Sequence, residues 1–196
     1  MNFKVGKKSV LIYVITLVFI LAGIGCFKFL YKSRETKAVE KLSGAYVFFS
    51  RGDQNTGAAL IDETIAQYAA TPAAYQASLI KADLLTQQRN FDEALQLLQN
   101  VVANGIPYDI RHLASSRIIN IYDAQQDYFN AINAANQFVN NYPNSFLVKD
   151  VYLNLAVCYI TTGSRDLGVK TLNVILEKFP ATREAERAQN ILYQLK

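Results

Sequence analysis

The chain has 196 residues, 51% hydrophobic and 18% charged, which is apolar enough for one domain of about 150 residues plus an appendage and excludes wholesale disorder. Nine glycines and four prolines favour long helices over a strand-and-turn architecture. The net charge of +4 is unevenly placed: residues 1–41 carry eight Lys/Arg against two acids, and residues 42–196 carry twelve against fourteen. The folded part therefore has no basic surplus to neutralise phosphates, and nucleic acid is excluded as a partner.

In chain order, residues 1–9 form a short basic tail, and residues 10–27 follow with eighteen positions free of charge. At 1.5 Å per residue that run makes roughly 27 Å of helix, enough to cross a bilayer core. Phe29 and Leu30 extend it and Lys28 can snorkel, so a transmembrane helix is expected over residues 10–30, with Tyr31, Lys32 and Arg34 as an interfacial anchor. Two alternatives share the segment. A cleaved signal peptide needs a shorter apolar region of about 7–15 residues and a small-x-small site, and fits poorly. Gly23-Ile24-Gly25-Cys26 resembles a lipobox, with Gly23 where Leu is usual, which leaves a lipid anchor on Cys26 open. Lys4, Lys7 and Lys8 precede the span, whereas Lys28, Lys32, Arg34, Lys37 and Lys41 follow it. By the positive-inside count this leans, by a small margin, toward a cytoplasmic C-terminal domain.

Residues 31–196 read as a second domain with helical periodicity, and it repeats. A shift of 37 residues aligns Ala82, Ile119 and Ala156; Leu85, Tyr122 and Tyr159; Ala94, Ala131 and Gly168; Leu98, Ala135 and Leu172; and Val101, Phe138 and Ile175. Such a register, held over three copies, predicts a solenoid of helical hairpins. Asn90-Phe91-Asp92-Glu93 opens a helix with acids in its first turn, Thr162-Gly163 closes one, and Ser164 is expected to cap the next. Pro143 and Pro180 fall between hairpins. A weaker copy begins at Ala45, Phe48 and Gly52-Asp53. Its second helix is read with a one-residue shift that turns Ala58, Ile61 and Ile65 inward. The last stretch places Ala185, Ala188, Leu192 and Leu195 on one face, as a cap helix. The fold class is thus all-α: four hairpins, a closing helix and one apolar N-terminal helix.

These repeats resemble the tetratricopeptide family. The best copy carries Tyr152, Leu155, Ala156, Tyr159, Gly163 and Pro180 at consensus places, and the middle copy matches at Tyr122, Ala131 and Pro143. Lys81 stands where the family prefers Leu, Gly168 where it prefers Ala, and the period is 37 where 34 is usual. The phrases Asn141-Tyr142-Pro143-Asn144-Ser145 and Lys178-Phe179-Pro180-Ala181-Thr182 are similar to the longer repeats of bacterial envelope assembly lipoproteins. The whole arrangement resembles the ancillary subunit of the bacterial Sec translocon. What the resemblance implies is a right-handed α-solenoid that binds proteins (translocon subunits, folding factors or client polypeptides) from the periplasmic side of the cytoplasmic membrane.

A search for chemistry is largely empty. No Walker loop, GxGxxG, GxSxG or HExxH occurs, so no enzyme, cofactor, metal or small-molecule substrate is expected. Cys158 and His112 lie too far apart along the aligned helices for a dyad. Cys158 reads as a buried small hydrophobe, and His112 as a surface residue at a helix start. What remains is surface. In a tetratricopeptide stack the first helix of each hairpin lines a concave face, so the resemblance implies a peptide groove of Leu79, Asp83, Leu113, Arg117, Asn120, Leu153, Asn154 and Val157. That lining is mixed apolar and amide, without the lysines of a carboxylate clamp, and suits extended, weakly specified peptides.

Overall fold

The computed structural model describes residues 7–195. Their helices run α1 Lys7–Ser50, α2 Gln54–Gln67, α3 Pro72–Gln87, α4 Phe91–Asn104, α5 Asp109–Ala124, α6 Tyr128–Asn141, α7 Val148–Thr161, α8 Arg165–Lys178 and α9 Arg183–Gln194. Each helix packs on the next, giving four antiparallel hairpins (the C-terminal part of α1 with α2, then α3 with α4, α5 with α6 and α7 with α8) closed by α9. α1 is a single 44-residue helix, so the apolar segment passes into the first hairpin with no break.

The 37-residue period is literal. The second helices α2, α4, α6 and α8 start at Gln54, Phe91, Tyr128 and Arg165, each 37 residues after the last. The turn before them places one residue in the left-handed region at the same interval: Gly52 (φ 83°), Arg89 (φ 60°), Gln126 (φ 59°) and Gly163 (φ 80°). Glycine tolerates that conformation freely, whereas Arg89 and Gln126 hold it at a cost that the surrounding packing must offset. The next position is the N-cap. Asp53 and Asp127 accept the backbone N–H groups of Thr56 and Asn130 at 3.0 and 3.1 Å. Ser164 occupies the same place but makes no side-chain cap bond, contrary to the expectation for it.

The core is the stack of aligned columns. Ala45, Ala82, Ile119 and Ala156 are buried, as are Ile61, Leu98, Ala135 and Leu172. The small column Gly57, Ala94, Ala131 and Gly168 sets how closely paired helices approach. A Cβ built on Gly57 would lie 2.5 Å from the Phe49 ring, and one on Gly168 2.5 Å from Ile160. The one-residue shift expected in α2 does not occur. Gly57, Ile61 and Thr64 are the buried residues of that helix, in register with Ala94, Leu98 and Val101, while Ala58 and Ile65 are half-buried. Thr64 can stand in an apolar column because its hydroxyl donates to the Leu60 carbonyl at 2.7 Å, so no polar group is left unpaired. Lys81 substitutes for the consensus Leu by reaching across the hairpin surface to Asp62 at 2.8 Å and Glu93 at 3.8 Å.

Candidate functional site

The first helices of successive hairpins (α1, α3, α5 and α7) lie side by side and form the concave face. Their outward columns, again 37 apart, are Val39, Gln76, Leu113 and Asp150; Ser43, Ile80, Arg117 and Asn154; and Tyr46, Asp83, Asn120 and Val157. The neighbouring column of Leu42, Leu79 and Leu153 turns into the contact between adjacent helices, and each of those leucines is 4% exposed. Leu79 and Leu153 are therefore core residues whose large side chains fill the inter-helix space. Leu79 reaches the groove only as part of its wall.

A groove of about 370 Å³ opens on this face, walled by Tyr46 of α1, Ile80 of α3 and Ile110 and Leu113 of α5, with Phe146 across from them in the turn before α7. Tyr46 and Phe146 stand 48% and 65% exposed, an arrangement in which two aromatic rings are held out to solvent at the rim of an apolar depression. Pro72, Asp109 and Phe146 recur at the 37-residue interval, the first two opening α3 and α5 and the third in the turn before α7, so the wall is built mainly from helices. At one end Arg117 clamps Asp83 through both carboxylate oxygens, Nε to Oδ1 at 2.8 Å and Nη2 to Oδ2 at 3.0 Å. That bidentate pair joins α3 to α5 and leaves little net charge there.

Asn120 and Asn154 line a separate, smaller hollow with Asp150. Asn154 Oδ1 also receives the Cys158 thiol at 3.3 Å, and Val157 is exposed farther along α7. The eight expected residues thus divide. Leu79, Leu113 and Arg117 share the main groove, Asn120 and Asn154 share the hollow, and Asp83, Leu153 and Val157 line neither. Eight groove residues were missed: Tyr46, Ile80, Ile110 and Phe146 of its apolar wall, and Pro72, Gln76, Pro107 and Asp109 beside them. Extending the concave columns back by one period would have found Tyr46, which aligns with Asp83. An unpaired aromatic directly after the Pro143 turn was the available signal for Phe146.

Two electrostatic features border the site. Loss of hydration beside α9, followed by the charge of Glu184, raises the Asp150 carboxyl above its ordinary range, with Lys149 acting in the opposite sense. Cys158 is buried as expected, and burial first, then the Asp123 carboxylate, pushes its thiol up to about 11, which favours the neutral form. His112 departs from expectation. It is 9% exposed, with its ring 4.3 Å from Tyr142 and 5.1 Å from Tyr108 between centroids. Its Nε2 is buried without a hydrogen-bond partner. It belongs to an aromatic cluster under the α4–α5 turn. Among the described residues no group of three or more His, Cys, Asp or Glu could hold a metal ion.

One described helix is long and apolar enough to cross a membrane by length and composition, over Ile15–Ser50. Among solved structures, a tetratricopeptide repeat protein from Parabacteroides merdae aligns at TM-score 0.65 and 16% identity, covering 80% of this chain and 59% of that one. The chain thus spans well under two thirds of that relative's length. The nearly identical tetratricopeptide-like repeats of a protein designated a kinesin light chain, from Podospora anserina, align at TM-score 0.61 and 16% identity, covering 82% and 88%. MamA from AMB-1 aligns at 0.54 and 15%, covering 82% of each chain. At these identities the likeness shows the fold alone. No curated protein matches the chain. The family described as tetratricopeptide repeat-like domain matches residues 3–149, apolar segment included, and tetratricopeptide repeat matches residues 150–182. The two matches together run from the N-terminal helix through the last hairpin, and the chain belongs to the tetratricopeptide-repeat family.

Proposed function

We propose that this chain is a membrane-anchored protein-binding module, an accessory or chaperone-like factor of bacterial protein translocation or envelope assembly, held by residues 10–30 with its repeats in the periplasm. The observation that carries the reading is the concave groove, where Tyr46 and Phe146 are exposed beside Ile80, Ile110 and Leu113. Exposed aromatics over an apolar floor gain free energy when a partner's side chains cover them. The groove is short and its one strong ion pair is internal, so it favours apolar side chains in an extended or unfolded client over a particular charged sequence. Attachment to the bilayer raises the effective concentration near membrane-bound partners and lets a weak intrinsic affinity suffice.

The test is in-cell photocrosslinking from position 146 of the full-length chain, followed by identification of the captured proteins. Translocon subunits, folding factors or exported polypeptides are expected, and Tyr46→Asp with Leu113→Asp should suppress their capture while circular dichroism of the purified variant stays helical. Capture unchanged in the double variant would remove the groove from the function. Protease treatment of spheroplasts should digest the repeats while sparing cytosolic markers, and protection would reverse the topology. An intact mass showing lipid on an N-terminal Cys26 would replace the transmembrane anchor with a lipid one.

A further inference from the structure

The outer side of the solenoid carries a second groove, separate from the concave one. It lies between α4 and α6 over α5 and holds about 320 Å³. Its floor is apolar, with Val102, Ile118 and Ala134, and its rims are amides, Gln99 on α4 and Asn133, Gln137 and Asn141 on α6. None of the described residues lining it is Asp, Glu, Lys or Arg, and α6 as a whole contains no such residue. The four rim residues are exposed. Their side chains make no hydrogen bond to another described residue, whereas nearby Asn104 donates to Asn100 and Asn136 to the Tyr159 hydroxyl.

We propose that this groove docks an uncharged, extended polypeptide segment and holds it by its main chain. Charge complementarity sets the first condition, because a charged segment laid over this neutral lining would find no counter-ion. A carboxamide offers both a donor and an acceptor, the same pair that each residue of an extended chain presents. The spacing sets the second. Asn133, Gln137 and Asn141 are four residues apart on one helix, a rise of about 6 Å per step at 1.5 Å per residue. An extended chain advances about 6.6–6.8 Å every two residues. Along the axis the mismatch stays under about 1 Å per rung, and the drift of about 40° per four-residue step adds a sideways offset that flexible Asn and Gln side chains take up. Side chains alternating toward the protein would then meet the floor of Val102, Ile118 and Ala134. A helical ligand has its main-chain groups already paired and would leave the rim amides idle.

The test uses the full-length chain in lipid nanodiscs and a capped, fluorescent decapeptide of alternating Thr and Ala, read by anisotropy. A second peptide carries N-methyl groups at alternate residues, which removes main-chain donors and keeps the side chains. The plain peptide should bind with affinity changing less than about twofold between low and high salt. Asn133→Ala with Gln137→Ala and Asn141→Ala should weaken it about tenfold or more, and N-methylation should do the same. Leu113→Asp on the concave face should leave it unchanged, which keeps this result separate from the fate of the concave site. Should the triple variant lose helicity, Gln137→Glu, which keeps the shape and adds a charge, gives the same reading. The proposal is overturned if the plain peptide does not bind, if the methylated peptide binds equally, if the amide variants have no effect, or if Leu113→Asp abolishes binding. Binding of an uncharged oligosaccharide in place of the peptide, sensitive to the same amides, overturns it as well.

Discussion

Replacing Thr64 by Asp should unfold the first hairpin far more readily than replacing its neighbour Ile65 by Asp, although Ile65 is the more hydrophobic. Thr64 is fully buried and occupies the column of Val101, Phe138 and Ile175. Its hydroxyl survives there by donating to the Leu60 carbonyl at 2.7 Å. A carboxylate has no proton to donate to that carbonyl, and Lys41, the α1 cation bonded to α2, is already engaged by Glu63 and Gln67. Burying an unpaired charge costs about 3–5 kcal/mol or forces its protonation. Ile65 is only half-buried, so Ile65→Asp forfeits part of a side-chain transfer free energy, about 1–1.5 kcal/mol. At about 2–4 °C per kcal/mol for a domain of this size, the melting temperature should fall by roughly 6–20 °C for the first variant and roughly 2–6 °C for the second. Thr64→Val, which keeps the shape and removes the hydroxyl, should be close to neutral. Thermal melts by circular dichroism, with hydrogen exchange localised to α2, read all three. If Ile65→Asp is the more damaging, or the two are equal, the register of the first hairpin is wrong.

Four further outcomes follow from particular residues. Gly163→Ala places a Cβ in a left-handed turn where nothing lies within 4 Å, so the loss should be the backbone term alone, about 1–2 kcal/mol by thermal melt. Gln126→Gly in the equivalent turn should not lower the melting temperature. Asp150→Asn should stabilise the fold at neutral pH. The folded-state pKa of Asp150 is raised, so its contribution favours folding at low pH and is lost as pH rises through that pKa. The variant's advantage should therefore vanish on acidification, which melts at stepped pH will show. Cys158, raised from an ordinary value of 9.0 to about 11, should resist maleimide at mildly alkaline pH until the chain is unfolded. Its contribution to stability should decline between those two pKa values.

Periodicity carried most of the fold, because a solenoid repeats its contacts at the interval at which it repeats its sequence. Ala94, Ala131, Leu98, Leu172 and Ile175 are all buried, as the aligned columns required. The reading failed where hydrophobicity and burial part company. Gly57 is inward because it stacks against the Phe49 ring, and Thr64 because it satisfies its own hydroxyl locally. A pattern scored on apolar character passes over both and selects Ala58 and Ile65. At the concave face, side-chain direction decided the outcome. Leu79 and Leu153 are separated by a fraction of a helical turn from the columns that face solvent, and a shift of that size changes a wall into a core. His112 was unreadable for another reason. Its burial depends on Tyr142, thirty residues away in the next turn between hairpins, and nothing local in the sequence announces that contact.

The continuity of α1 gives the proposed anchoring a geometric consequence. Tyr46, a wall of the concave groove, lies on the same unbroken helix as the apolar run. Sixteen residues separate Leu30 from Tyr46, a rise of about 24 Å at 1.5 Å per residue. No proline falls between them, and Gly44, the one glycine there, lies within the hairpin contact, its added Cβ meeting Leu60 at an ordinary 3.6 Å. α1 is also tied to α2 by the Lys41–Glu63 ion pair and by Ala38, Leu42 and Ala45 in one buried cluster with Ile61. A module on a flexible tether samples every height and orientation, and its effective concentration is spread over that volume. A groove built into the anchoring helix itself is confined to one band above the bilayer and tilts only as the helix tilts. The partner it serves best is then one whose exposed segment emerges at that height, and distance from the membrane becomes part of the specificity that a weakly selective groove does not supply on its own.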